Sequence, residues 1–224
     1  MIVGRITEVF ESIQGEGLYL GERQIFVRFH GCNLKCKFCD TQPSSFMEYT
    51  PHELFKEITM HHDDHHSVSF TGGEPLLQKY FLKEILKLTH ENSLRNYLET
   101  NGTLHEELRS VIDYVHYVAM DLKLPSSTGL NDFWDDHRLF LEIASQKECF
   151  LKVVVLPSTH EDDLRTGLRL IRETAKDAVF ILQPDSGNNN VSLCRKLDNF
   201  KDICRSERVT ACIIPQVHKI TGVR

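Results

Sequence analysis

Short apolar runs recur along this chain at residues 25–29, 68–70, 97–98, 115–120, 150–156, 179–182 and 209–214, each followed by a polar or glycine-rich stretch. Most are rich in Val, Ile and Phe, as strands buried on both faces are. Amphipathic stretches lie between them. Thr50 precedes Pro51 and stands three before Glu53, a capping box with proline in the first turn. Thr103 and Glu106 repeat that spacing. Pro75 opens a predicted helix with Leu77, Phe81, Ile85 and Leu88 on its apolar face, and Thr159 with Asp162 opens one carrying Leu164, Leu168 and Ile171. Strand–helix alternation predicts an α/β fold, with a parallel sheet and right-handed crossovers.

The polar punctuation then gains a position. Arg28 and His30 end the first main run. Thr71, Gly72, Gly73, Glu74 and Pro75 follow the second, and Glu99, Thr100, Asn101 and Gly102 the third. Asp121, Leu122 and Lys123 follow the fourth, Gln183 and Pro184 a later one, and residues 216–219 the last. In a parallel sheet these stretches gather at the carboxyl edge, where ligands bind.

The chain has 224 residues, 41% hydrophobic and 26% charged, enough for one substantial core. A formal charge of −6 argues against non-specific binding to nucleic acid, which needs a basic face. No apolar run is long enough to cross a bilayer, and no signal peptide is visible at the N-terminus, so a cytoplasmic location is expected. Three of the seven cysteines, Cys32, Cys36 and Cys39, crowd into eight residues, while Cys149, Cys194, Cys204 and Cys212 are scattered. That distribution is a poor disulfide framework and a good metal site in a reducing compartment. An iron–sulfur cluster usually takes four cysteines. Three would leave one iron open, the arrangement of a catalytic rather than a structural metal. A zinc site completed by His30 is the competing reading of the same residues.

The Cys-x3-Cys-x2-Cys spacing, with Phe38 before the last cysteine, resembles the signature of the radical S-adenosylmethionine superfamily, and Gly72-Gly73-Glu74-Pro75 resembles its glycine-rich strand-end motif. Residues 12–17, 26–31, 39–41, 71–76, 99–102, 121–123, 182–184 and 218–219 together resemble the family of 7-carboxy-7-deazaguanine synthases, with Val217 standing where a polar residue is expected. The resemblance implies a trimmed partial (β/α) barrel in a single domain. Residues 1–23 would be a substrate-binding extension, 24–184 the core, and 185–224 a part closing the site. It implies a [4Fe–4S] cluster on Cys32, Cys36 and Cys39, S-adenosylmethionine on the open iron, and a 5′-deoxyadenosyl radical that takes a hydrogen from 6-carboxy-5,6,7,8-tetrahydropterin. Ring contraction and loss of ammonia would give 7-carboxy-7-deazaguanine, a precursor of queuosine-type 7-deazapurines in transfer RNA.

Roles follow from the same resemblance. Ile13, Gln14, Gly15, Glu16, Arg28, Thr71 and His218 would bind substrate, Arg28 by pairing with a carboxylate. Gly72, Gly73, Glu74, Thr100, Asn101, Asp121, Leu122, Lys123 and Gln183 would hold the cofactor, and Thr41 would contact Mg²⁺. A homodimer is implied, as is a small reductant such as flavodoxin or ferredoxin; no nucleic acid or membrane partner is. An enzyme that activates a glycyl-radical protein shares the cysteine spacing but has no use for the Gln14–Glu16 loop or His218. The histidines and aspartates of residues 61–66 read as a solvated loop.

Overall fold

The computed structural model describes residues 2–39, 45–61, 64–188 and 191–222. Among them, nine strands form one sheet in the order β3-β1-β2-β4-β5-β6-β7-β8-β9. Seven run parallel: β2 (Arg23–Phe29), β4 (Ser67–Gly72), β5 (Asn96–Thr100), β6 (Tyr117–Asp121), β7 (Glu148–Val155), β8 (Phe180–Pro184) and β9 (Ala211–Ile213). Each neighbours the next in sequence, so the sheet winds in one direction, parallel as the apolar runs predict and an open, partial barrel as the resemblance implies. β1 (Gly4–Ile13) and β3 (Met47–Tyr49) extend it antiparallel.

β1 is a strand that the run pattern does not predict. Beyond Ile6 its only strand partner among the described residues is β2, and it stays half-exposed, so its composition is mixed rather than apolar.

Helices cover the outer face. They include α1 (Pro51–Ile58), α2 (Lys79–Glu91), α3 (His105–Arg109), α4 (Pro125–Thr128), α5 (Trp134–Ala144), α6 (Glu161–Thr174) and α7 (Val191–Ser206). The exception is α8 (Val217–Thr221), which lies against the loop after β1 at a cavity. Phe81 of α2 meets Phe29 of β2 with ring centroids 6.1 Å apart. On α6, Leu164, Leu168 and Ile171 are fully buried, each contributing about 1.5–3 kcal/mol of hydrophobic stabilisation.

Both halves of the first capping box form: Glu53 N donates to Thr50 Oγ1 at 3.3 Å, and Thr50 N donates to Glu53 Oε2 at 2.8 Å. Replacing Thr50 by Ala is expected to lower stability by about 1 kcal/mol, read from the urea midpoint at unchanged slope.

Three expected details differ. Leu104, not Thr103, stands at the N-cap position of α3, which has no side-chain capping bond, because the Thr103 hydroxyl donates instead to Asn101 Oδ1 at 2.6 Å. Pro75 opens a 3₁₀ turn, Pro75–Gln78, before α2 begins. The tighter turn rotates Leu77 outward, and the buried face becomes Phe81, Leu82, Ile85, Leu86 and Thr89. At α6 the N-cap position falls to His160, which makes no side-chain capping bond, since Thr159 Oγ1 accepts from Leu156 N at 2.8 Å.

Inside the curve of the sheet, Tyr97, Ala119, Phe150 and Ile181 form a second, smaller core, joined by Tyr19, Tyr117 and Ile214. Gly17, at φ +72°, lets the loop after β1 reach it; a Cβ there would sit 2.6 Å from Phe150 Cζ. This aromatic layer floors the barrel. Among the described residues no helix is long and apolar enough to cross a membrane.

Candidate active site

Strand side chains alternate between faces, and the inner positions above the aromatic floor turn polar. Register pairs Arg28 with Thr71, Asp121 with Lys152, and Val154 with Gln183. Thr71 Oγ1 donates to Glu99 Oε2 at 3.0 Å. All seven residues line one cavity of about 260 Å³ at the carboxyl edge, which Cys32, Cys36 and Cys39 also line.

The cysteine loop is held by backbone. Glu74 N donates to Gly31 O at 2.8 Å, and Lys37 N to Thr128 O at 3.0 Å. Gly73 passes so close that a Cβ would lie 1.9 Å from Gly31 O. The Glu74 carboxylate is fully buried beneath this crossing, accepting from Asn101 N at 2.8 Å and Leu76 N at 3.1 Å. Burial raises its pKa to about 7. Burial likewise pushes the Cys32 and Cys36 thiols up, so metal binding is what would hold them as thiolates.

The donor set fits an iron–sulfur cluster with one open iron: three thiols face one cavity, and His30, the fourth zinc ligand of the competing reading, does not line it. The His30 ring packs on Phe46, centroids 4.7 Å apart. The cavity also fits a polar ligand. Gln183 is 1% exposed, and among the described residues neither its Nε2 nor its Oε1 has a hydrogen-bond partner. A buried amide left so is costly unless a bound molecule satisfies it.

The loop after β1 forms the opposite wall. Gln14 Nε2 donates to Gln24 Oε1 at 3.0 Å and Glu99 Oε1 at 2.9 Å, while Gln14 Oε1 accepts from Glu16 N at 3.0 Å. Glu16 receives the Lys152 ammonium and, at 2.8 Å, Gln216 Nε2. Burial alone would raise the Glu16 carboxyl, but Lys152, helped by Gln216 and His218, outweighs it and brings the pKa to about 2. Lys152 is buried and also lies 3.8 Å from Asp121 Oδ2. Burial disfavours its charge, yet Asp121 and Glu16 hold its pKa well above the ordinary lysine value. Asp121 also accepts from Lys123 Nζ at 3.1 Å, whose cation lies over the Phe38 ring of the cysteine loop. The C-terminal segment closes this wall: Val217 N donates to Gly15 O at 3.0 Å, and a Cβ on Gly15 would lie 2.5 Å from His218 Nδ1. A backbone donor makes this contact, so it does not depend on the Val217 side chain.

Most of the expected site residues therefore meet in the cavity: the three cysteines, Ile13, Gln14, Gly15, Glu16, Arg28, Thr71, Gly72, Gly73, Thr100, Asn101, Asp121, Lys123, Gln183 and His218. Arg28 is held from behind by Glu8, its Nε donating at 2.6 Å. Glu74 and Leu122 do not line the cavity; Leu122 packs in the outer core against Gly167. Thr41 lies outside the described residues. Glu99 and Gln216, expected at the carboxyl edge without a role, line the cavity too, as does Lys152, which was not singled out. For Lys152 the available signal is a lone charge at an alternate position of an apolar run.

A sequential parallel barrel with three thiols and a glycine-rich crossing at its carboxyl edge defines a class. The model of the Radical SAM superfamily matches residues 26–171. The 7-carboxy-7-deazaguanine synthase of Geobacter sulfurreducens is 36% identical over 97% of this chain and 96% of that protein. The one of Archaeoglobus fulgidus is 35% identical over 98% of each. The crystal structure of QueE from Escherichia coli superposes with a TM-score of 0.67 at 20% identity, covering 95% of this chain and 94% of that one, a likeness of fold. The chain belongs to the Radical SAM superfamily and, within it, to the 7-carboxy-7-deazaguanine synthase family.

Proposed function

We propose that this chain is a radical S-adenosylmethionine lyase that contracts 6-carboxy-5,6,7,8-tetrahydropterin to 7-carboxy-7-deazaguanine with loss of ammonia. The observation that carries the reading is one cavity lined both by three cysteine thiols and by the Gln14–Glu16 loop. Cys32, Cys36 and Cys39 would hold the four-iron cluster, and with S-adenosylmethionine it supplies the radical that takes the substrate hydrogen.

The chain's own residues bind and orient. Arg28, fixed by Glu8, pairs with the pterin carboxylate, where a guanidinium fork is favoured. Gln14, Gly15, Glu16 and Ile13 meet the pterin edge, Thr71 touches the substrate, and His218 closes over it. Glu99 fixes the Gln14 amide and the Thr71 hydroxyl, so substrate groups meet a preset pattern of donors and acceptors. The backbone of Gly72 and Gly73, with Thr100, Asn101, Asp121, Lys123 and Gln183, takes the cofactor. Glu74 and Leu122 serve by positioning these neighbours rather than by contact. The aromatic floor limits water entry from below.

Finer readings belong with this one. Thr41 is a Mg²⁺ contact near the substrate carboxylate, where an ion keeping several waters is expected. The enzyme works in the cytoplasm as a homodimer, is reduced by flavodoxin or ferredoxin, and feeds queuosine-type synthesis and transfer RNA modification. Residues 1–23, 24–184 and 185–224 act as substrate extension, core and closing part of one domain. The family assignment leaves a glycyl-radical activator or a zinc module without support.

Anaerobic reconstitution with iron and sulfide, followed by dithionite, S-adenosylmethionine, Mg²⁺ and the pterin, is expected to yield carboxydeazaguanine by mass. Cys36→Ala is expected to yield none. Formation of 5′-deoxyadenosine without that product would retain the radical chemistry and reject the substrate.

A further inference from the structure

Cys32 receives an outer hydrogen bond from a side chain whose orientation is fixed by its surroundings. Asn101, 5% exposed at the end of β5, places Nδ2 3.8 Å from Cys32 Sγ and 2.8 Å from Asn33 Oδ1. Which end of an amide is nitrogen must be argued from its partners. Here Thr103 N, a backbone donor, lies 3.1 Å from Asn101 Oδ1, so that atom is the acceptor and the amino group faces the sulfur. The ring then closes: Asn33 Nδ2 donates to Thr103 Oγ1 at 2.9 Å, and Thr103 Oγ1 donates to Asn101 Oδ1 at 2.6 Å. Asn101, Asn33 and Thr103 thus form a cycle in which each hydrogen bond sets the direction of the next, leaving one Asn101 proton for the thiol sulfur. Leu34 N donates to the same sulfur at 3.4 Å.

We propose that Asn101 is a positioning residue that tunes the iron–sulfur centre, its locked amide stabilising the reduced cluster through Cys32. The inference rests on the cluster reading above. Adding one electron increases the negative charge carried by the cluster and its sulfur ligands. A proton donor aimed at one sulfur favours the reduced form and raises the potential, and such outer partners also hold ligand orientation. No atoms are exchanged; the electron comes from dithionite in the test and from the reductant in the cell.

The test uses the full reconstituted chain without S-adenosylmethionine, comparing wild type with Asn101→Leu and Thr103→Val. Midpoint potentials are read by electron paramagnetic resonance during a redox titration, alongside iron content. Asn101→Leu is expected to cut the reduced-to-oxidised ratio about tenfold at a fixed potential, a 59 mV downward shift for one electron. It should also weaken the coupling of solvent-exchangeable protons to the reduced cluster. Thr103→Val, which loosens the lock and leaves the amide, is expected to shift it by less in the same direction. Full iron with unchanged potentials and couplings in both variants overturns the inference and leaves the cluster reading intact. If Asn101→Leu does not load, Thr103→Val decides alone, and an unmoved potential there overturns it. A wild-type chain that assembles no cluster overturns the proposed function, and this inference with it.

Discussion

A Gly73→Ala chain is expected to fold, to bind iron poorly and to cleave S-adenosylmethionine at least about 100-fold more slowly than its parent, the scale of loss that a displacement near 1 Å produces. What Gly73 supplies is space. An added Cβ would sit 1.9 Å from Gly31 O and 2.4 Å from Gly31 C, both backbone atoms that no side-chain rotation can move. The crossing must open, and the bond from Glu74 N to Gly31 O, 2.8 Å long, opens with it. Gly31 is the residue before Cys32, so the displacement passes directly to the first cluster ligand. The larger of the two hydrophobic cores lies on the far side of the sheet and should hold. Iron content, 5′-deoxyadenosine release and the thermal midpoint separate these effects; cleavage within threefold of wild type would show that the loop can yield without loss.

Lys152→Met is expected to cost about 3 kcal/mol at pH 7, because it strips the largely buried Glu16 carboxylate of its cation and leaves Asp121 with Lys123 alone. It should also invert the pH dependence contributed by this site. In the wild-type chain Glu16 titrates at about 2, below the ordinary 4.5. Its contribution to stability is complete above pH 4.5 and is lost as the pH falls toward 2. Without Lys152, burial outweighs the remaining partners and the Glu16 carboxyl rises above its ordinary value. The folded state then binds the proton more tightly than the unfolded chain, so stability declines as pH rises from mildly acidic to neutral. Urea unfolding between pH 4 and 8 reads both effects, and Glu16→Gln in the same chain should recover part of the loss. Equal stability of Lys152→Met and wild type across that range would remove the ion pair from this account.

Much of the fold was legible because parallel strands are apolar on both faces, and each of the seven runs became a strand. The site was legible through its punctuation: the residues that end those runs are the ones that reach the carboxyl edge. Lys152 was hidden by the same rule. Leu151, Val153 and Val155 face the outer core, while Phe150, Lys152 and Val154 face inward, so the outward set masks one inward charge. Thr50 and Thr103 carried the same capping pattern, yet only Thr50 capped a helix. Thr103 had a stronger competing partner in Asn101, which lies two residues away but is oriented by Asn33 from another loop. Local spacing cannot register such a competitor. β1 escaped for a different reason, since a half-exposed strand with one long partner needs no apolar run.

The contact of α8 with the site bears on how the cavity exchanges its contents. α8 has no buried residue, and its flanking Gln216 reaches Glu16 across 200 residues of chain. Detaching this segment exposes little apolar surface, whereas opening the strands behind it would dismantle the core. Local stability is therefore expected to be lower at this segment than in the strands that carry the thiols and charges, a difference that amide hydrogen exchange would read. A segment held to the site by polar contacts can part from it at little cost, while the residues that carry the chemistry stay mounted on the strands.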